Sequence, residues 1–240
     1  MSTENRDLRF WTTFRTLLVS VPGPLFLVWA GTWFVQAVLI WQISKLTAQD
    51  LGLLLAIVVG LWLLEGFKES LYKPMSTPGR LNLSEVLSSA LPRLLPVMMT
   101  QLQVTTLVVV ASLLMGLMGV SVALIPMIFL SLFLEPATFV AATQGVRGTK
   151  AVYNGLELIY RQWKLTLCVP AIFVVLGPLF ELSYVDHTSI ALLPSGEGTL
   201  LEEIRSLAVL IGFLYLKWIA LGSAYLTAWK AQDRGTSASF

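Results

Sequence analysis

Residues 94–143 read LLPVMMTQLQVTTLVVVASLLMGLMGVSVALIPMIFLSLFLEPATFVAAT, and Glu135 is the only charged side chain among them. A membrane-spanning helix needs about 20 mostly apolar residues to cross a hydrocarbon core roughly 30 Å thick. This run is therefore too long for one span, and Gly116 with Gly119 marks a turn where a hairpin can fold back. The stretch predicts two membrane helices joined as a hairpin.

The composition of the whole chain agrees with a lipid environment. Hydrophobic residues make up 56% of the 240 residues, charged residues 12%, and the mean hydropathy is +0.76. A soluble domain with a water-facing surface could not easily carry these values. The net charge of +2 comes from scattered basic residues, which argues against nucleic acid as a partner because phosphate binding needs clustered Lys and Arg. Membrane lipids are the expected partners.

Four further apolar stretches complete the prediction of an all-α integral membrane fold with six transmembrane helices. The predicted spans cover residues 18–43, 50–67, 94–115, 118–143, 164–184 and 206–229. They form three hairpins that begin near Pro24, Leu94 and Lys164, at an even spacing of 70 residues. We therefore predict one membrane domain over residues 1–240, built from pseudo-repeats at about 1–70, 71–140 and 141–229. Residues 230–240 form a cytoplasmic tail.

An amphipathic interfacial helix is predicted before each hairpin. Its helical spacing is clearest in the third repeat, where apolar residues recur at Val152, Leu156, Ile159 and Trp163. In the second repeat, Asn82 followed by Glu85 matches a capping box, which predicts a helix start there. Such helices can lie on the inner leaflet, or they can serve only as elbows that let the hairpins pack together.

The basic residues predict the orientation. Thirteen of the sixteen Lys and Arg residues fall on one side of the predicted spans, and the opposite loops hold only Lys45 and Arg205. The positive-inside rule then places both termini in the cytoplasm. The acidic segment between residues 181 and 203 falls on the outside. No cleaved signal is expected, because the N-terminal charges have mixed signs and the apolar stretch after Arg15 is too long.

Residues 80–229 resemble the uncharacterised YciC-like family of bacterial inner-membrane proteins. The resemblance lies in LNLSEVLSSALPRLLPVMMTQL, in LEPATFVAATQGVRGTKAVYNGLELIYRQWKLTL and in IGFLYLKWIALGSAYL, and it extends to the membrane domain of some glycerophosphodiester phosphodiesterases. A glycine-initiated amphipathic segment before the fifth span carries the pattern, here Gly148, Ala151, Leu158 and Trp163. The resemblance implies a multi-pass protein of the bacterial inner membrane and implies no established reaction.

Polar side chains inside the predicted spans are the candidate site residues: Lys217, Glu135, Gln101 and Gln103. At about 1.5 Å per residue they lie roughly 18, 12, 10 and 14 Å from the cytoplasmic ends of their spans, so they can meet as one cluster. A charge there costs several kcal/mol unless it is paired or hydrated. We predict that Lys217 pairs with Glu135. The cluster either lines a polar pocket or pathway, or is a structural ion pair that fixes helix register.

Glu65 and Glu69 are a second candidate, one helical turn apart beside Lys68 at the cytoplasmic end of the second span. Paired carboxylates can hold a proton or a cation. Beside a lysine at a membrane surface, however, solvated carboxylates are the commoner arrangement. We therefore expect these two side chains to be solvated.

The sequence contains no motif that is typical of an enzyme. His187 is the only histidine, and no P-loop, dinucleotide-binding glycine pattern or HExxH motif is present. Cys168 is the only cysteine, so thiolate metal sites and intrachain disulfides are excluded, and its apolar surroundings predict a buried, inert thiol. We expect no metal and no cofactor.

Two candidate functions are compatible with these sequence features. The first is a non-catalytic scaffold or accessory subunit that acts through lipid and helix contacts. The small residues Ala220, Gly222, Ser223 and Ala224 would let it pack closely within itself, against another membrane subunit or against a second copy. The second is a small transporter or lipid-handling permease with a polar site around Lys217.

Overall fold

The computed structural model describes residues 3–20, 23–43, 46, 50–77, 81–117, 135–185 and 200–237. Within these ranges every regular element is a helix, which confirms the all-α prediction. The helices are α1 (Thr3–Ser20), α2 (Gly23–Ile43), α3 (Leu51–Ser70), α4 (Tyr72–Ser76), α5 (Leu83–Leu117), α6 (135–144), α7 (Thr149–Val185) and α8 (Leu200–Ser237).

Four segments in the described part of the chain are long and apolar enough to cross a membrane: Gly23–Ile40, Leu51–Ser76, Leu83–Ala111 and Ile211–Ala231. They lie in α2, in α3 with α4, in α5 and in α8, and are compatible with a multi-pass membrane protein. The predicted turn at Gly119, most of the predicted fourth span and most of the acidic outer segment lie outside the described residues.

The predicted capping box forms at the start of α5. The Asn82 backbone N–H donates to Glu85 Oε2 at 2.7 Å, and the Glu85 N–H donates to Asn82 Oδ1 at 2.9 Å. Two backbone donors that the helix cannot satisfy are thereby paired. From this cap α5 continues without a break past Pro92 and Pro96. The predicted interfacial helix and the third span are therefore one helix, and Leu94 is not a helix boundary.

A break in α7 falls close to the predicted start of the fifth span. Gln162 has non-helical dihedral angles (φ −136°, ψ 38°), which divide the helix two residues before Lys164. The helix begins after Gly148, whose φ of +60° lies in the left-handed region that favours glycine. The Gly148 N–H donates to Thr100 Oγ1 at 3.1 Å, which ties the start of α7 to α5.

Helix α8 forms the centre of the molecule. In the most apolar part of its candidate span, 61% of the residues are buried within the chain, against 11% in the span that begins at Leu51. Aromatic rings from α2, α4, α6 and α7 pack against rings of α8: the ring centroids of Tyr72 and Trp218 are 5.5 Å apart, and those of Phe139 and Tyr225 are 5.3 Å apart. Gly222 allows this packing, because a Cβ there would overlap the Met75 sulfur. The small-residue face of α8 therefore packs within the chain.

The outward faces of the peripheral helices are apolar. Leu27 and Phe34 on α2 are more than half exposed, as are Leu53 and Leu55 on α3. A water-facing surface does not normally carry so many large apolar side chains. Cys168 also lies on the outside of the bundle, so the prediction that it is buried among side chains was wrong. An apolar run does not distinguish a side chain facing the protein interior from one facing outward.

Candidate functional site

A pocket of about 150 Å³ lies where α2, α3, α4, α6 and α8 meet. Eleven side chains line it: Trp29, Trp33, Glu65, Lys68, Glu69, Tyr72, Glu135, Leu214, Lys217, Trp218 and Leu221. The lining combines charged groups with aromatic rings, a combination that a simple apolar packing defect would not have.

Helical periodicity explains how three segments supply most of the lining. Residues 214, 217, 218 and 221 follow the spacing i, i+3, i+4, i+7, and residues 65, 68, 69 and 72 follow the same spacing. Trp29 and Trp33 are four residues apart on α2. Side chains at these spacings share one face of a helix, so each segment turns a single face toward the pocket.

One ion pair in the pocket is complete. Lys68 Nζ lies 2.5 Å from Glu65 Oε2, and the Gln36 side-chain amide donates to the same oxygen at 3.1 Å. The ammonium also lies 5.2 Å from the centre of the Trp33 ring, in a cation–π contact. The Glu65 side chain is 42% exposed and marks the open edge of the pocket. Lys68 therefore already has partners for its charge.

The other charged groups have no such ion pair. Among the described residues, the ion pairs within 4.0 Å are Lys68 with Glu65 and Arg161 with Glu157. Lys217 and Glu135 line the same pocket, but they do not form the direct contact that the sequence predicted. Glu69 likewise has no cation within that distance among the described side chains. Among the described residues, therefore, no cation lies within 4.0 Å of the Glu69 or Glu135 carboxylate, and no carboxylate lies within 4.0 Å of Lys217.

Several buried polar atoms of the lining also have no hydrogen-bond partner within the described structure: Trp29 Nε1, Glu69 Oε2, Tyr72 OH and Trp218 Nε1. Trp29, Tyr72 and Trp218 are at most 4% exposed. Leaving a buried donor or acceptor unpaired costs about 1–3 kcal/mol. Four such atoms around one pocket can pair with water or with a polar ligand.

The two glutamines of the predicted cluster lie elsewhere. Gln101 contacts α3, where its Oε1 would be 3.3 Å from a Cβ at position 66, and Gln103 lies beside Gly148 at the start of α7. Neither lines the pocket. The position of a residue along its helix can be read from the sequence, but the direction of each side chain depends on the rotation of α5.

The expectation of solvated carboxylates was wrong for Glu69. Its Oε2 is buried, and Lys68 beside it is only 9% exposed. Both predicted groups of charged residues line one pocket, because the short helix α4, which directly follows α3, packs against α8.

Sequence reasoning missed the aromatic side of the pocket, which Trp29, Trp33, Tyr72 and Trp218 supply. The sequence did contain one indication of these aromatic side chains: Trp218 directly follows Lys217, and Tyr72 lies three residues after Glu69, on the same helical face. Tryptophan and tyrosine in membrane proteins are more often interfacial anchors, so the sequence favoured that role.

The described residues contain no group of three or more His, Cys, Asp or Glu side chains that could hold a metal ion. The carboxylates of the pocket are thus too dispersed for a compact metal site. No protein-family model, curated protein or solved structure matches this chain.

Proposed function

We propose that this protein is a small transporter or lipid-handling permease that binds a small polar molecule in the pocket around Lys217. Two observations carry the proposal: four buried polar atoms of the lining have no hydrogen-bond partner in the described structure, and Glu69, Glu135 and Lys217 form no ion pair within 4.0 Å among the described residues. Charged residues within a membrane bundle are costly, and they typically mark pathways for ions or substrates. A purely structural cluster would be expected to satisfy its own charges.

The proposal includes the full topology of six spans in three hairpins with both termini in the cytoplasm of a bacterial inner membrane. Four of the spans correspond to apolar helices of the described structure. Support for the fifth is the break at Gln162, after which α7 continues through an apolar sequence. The remaining span depends on the apolar run before Glu135, and the orientation depends on the distribution of Lys and Arg.

Membership in the YciC-like family is part of the same proposal. The glycine of its amphipathic segment is Gly148, whose positive φ gives a physical reason for a glycine there. Ala151 and Leu158 of the same segment are buried, and Trp163 is exposed. The pattern is thus compatible with an amphipathic segment at the start of α7 that packs one of its faces against the other helices.

A second candidate function is an accessory subunit, and one surface favours it. On the first half of α7, Tyr153, Tyr160 and Trp163 are each more than half exposed. Tyr153 and Tyr160 lie before the break at Gln162, and Trp163 lies directly after it. Aromatic side chains at such a site can either anchor at the lipid headgroups or contact another chain.

Purification of the protein in native lipid, followed by mass spectrometry of what remains bound, tests the two candidates. We expect a small polar molecule or a specific lipid that is retained by the wild type and lost from Glu135→Gln. The matched control is Glu157→Gln, because Glu157 pairs with Arg161 outside the pocket. A constant partner chain, with no small molecule that depends on Glu135, would favour the accessory subunit and contradict the permease.

A further inference from the structure

The charges of the lining determine which ligands suit the pocket. Three glutamates face two lysines, so the lining carries one net negative charge when all five groups are ionised. Lys68 and Glu65 neutralise each other in close contact, which leaves Glu69 and Glu135 opposed by Lys217 alone. A small anion would bring a further negative charge to two carboxylates, whereas a monovalent cation would balance the site.

The aromatic side chains point to an organic cation. Trp29, Trp33, Tyr72 and Trp218 all line the pocket, and aromatic faces attract ammonium groups through the ring quadrupole. Within the chain, Trp33 already shows this interaction with the ammonium of Lys68. A metal ion would need ligands gathered around one point, and no such group of donors exists among the described residues.

Size sets an upper limit on what can enter. A cavity of about 150 Å³ accepts a molecule close to benzene in size, and the pocket has that volume. A small amine or the terminal amine of a lipid headgroup fits, whereas a nucleotide or a peptide does not. The unpartnered indole N–H groups of Trp29 and Trp218 are donors, so an oxygen acceptor beside the ammonium would satisfy them.

We propose that the pocket binds the ammonium group of a small amine, free or as the headgroup of an aminophospholipid, with Glu69 and Glu135 as counter-charges and the rings of Trp29, Tyr72 and Trp218 as its aromatic wall. This inference rests on the proposed function and names the substrate class of the same pocket. Lys217 is the internal counter-ion of the two carboxylates when the ligand is absent.

The test measures the thermal stability of the full chain in a neutral detergent during titration with ethanolammonium chloride, with sodium acetate as the anionic probe. A ligand that binds only the folded state raises the unfolding midpoint as its concentration increases. We expect stabilisation by ethanolammonium and none by acetate. In Glu135→Gln the dissociation constant should be weaker by about tenfold or more, since a charge-assisted contact is lost. Glu157→Gln should retain the wild-type constant.

Two further arms complete the experiment. If Glu135→Gln does not yield folded protein, Glu69→Gln provides the same comparison. Nanodiscs of phosphatidylethanolamine and of phosphatidylglycerol distinguish the sources, because a headgroup ligand stabilises only in the first, whereas a free amine acts in detergent as well. Stabilisation by acetate alone would overturn the ammonium proposal and leave a ligand site in place. The absence of any stabilisation by ethanolammonium or phosphatidylethanolamine would also overturn it, while the co-purification in native lipid tests the permease separately.

Discussion

Replacing Gly155 by alanine is expected to destabilise the fold by about 3 kcal/mol, because overpacked sites cost about 1–3 kcal/mol and sometimes more. A Cβ at position 155 would lie 2.8 Å from the backbone nitrogen of Ala137 and 2.9 Å from its Cα. Backbone atoms cannot rotate away as a side-chain end can, so α6 and α7 would have to separate. In thermal unfolding of the purified protein, the midpoint should fall by roughly 10 °C.

Two other glycines provide graded controls for this prediction. Gly222→Ala should cost less, because the atom that it would meet first is the sulfur of Met75, and methionine adapts easily. Gly212→Ala, in the same helix as Gly222, should leave the midpoint unchanged or slightly higher, since nothing lies within 4 Å of the added Cβ. If all three variants unfolded at the same temperature, the close approach of α6 and α7 would be contradicted.

Replacing Lys217 by methionine should leave the protein folded and strengthen its binding of free ethanolammonium by about tenfold. The physical reason is that two positive charges several ångströms apart repel by about 1–3 kcal/mol at an effective dielectric constant of 20. Lys217 has no carboxylate within 4.0 Å in the described structure, so its removal breaks no close ion pair. Both the dissociation constant and the unfolding midpoint are measured in detergent.

The alternative for Lys217 is a structural ion pair, and it predicts the opposite result. Removing one partner of a buried pair typically costs about 3–5 kcal/mol, so Lys217→Met would aggregate or unfold at a much lower temperature. Lys230→Met is the matched control, because Lys230 lies on the exposed side of the same helix. A stable Lys230→Met beside an unstable Lys217→Met would establish the structural role.

Features set by nearby residues were predictable from the sequence. The capping box of α5 needs only Asn82 and Glu85, and it formed as expected. The apolar spans follow from composition, because length and hydropathy alone decide whether a helix can cross a bilayer. The prediction that Lys217 and Glu135 lie near each other came from the sequence, and the two residues do line one pocket.

Features set by packing between helices were not predictable. Gly155 is one glycine among seventeen until α6 is seen against it. The break in α7 at Gln162 could not be predicted, because neither a proline nor a glycine stands at that position. The aromatic wall forms only because α2 packs beside α8, which the sequence does not reveal. Lys217 and Glu135 were expected to be in direct contact, but in the structure they line a pocket together.

The proposed pocket must admit water and ligand from outside the chain. The most direct test of this requirement is the reaction rate of a water-soluble thiol reagent with single cysteines in membranes, in a Cys168→Ser background. Leu214→Cys places the thiol on the pocket lining, and Leu216→Cys places it on the outward face two residues away. A thiol reacts as its thiolate, which forms readily only where water reaches it.

We predict that the cysteine at position 214 reacts faster than the one at position 216 by about tenfold or more, and that ethanolammonium slows its reaction. Equal protection of both cysteines from the reagent would show that the pocket is closed to water and would rule out the proposed ligand site.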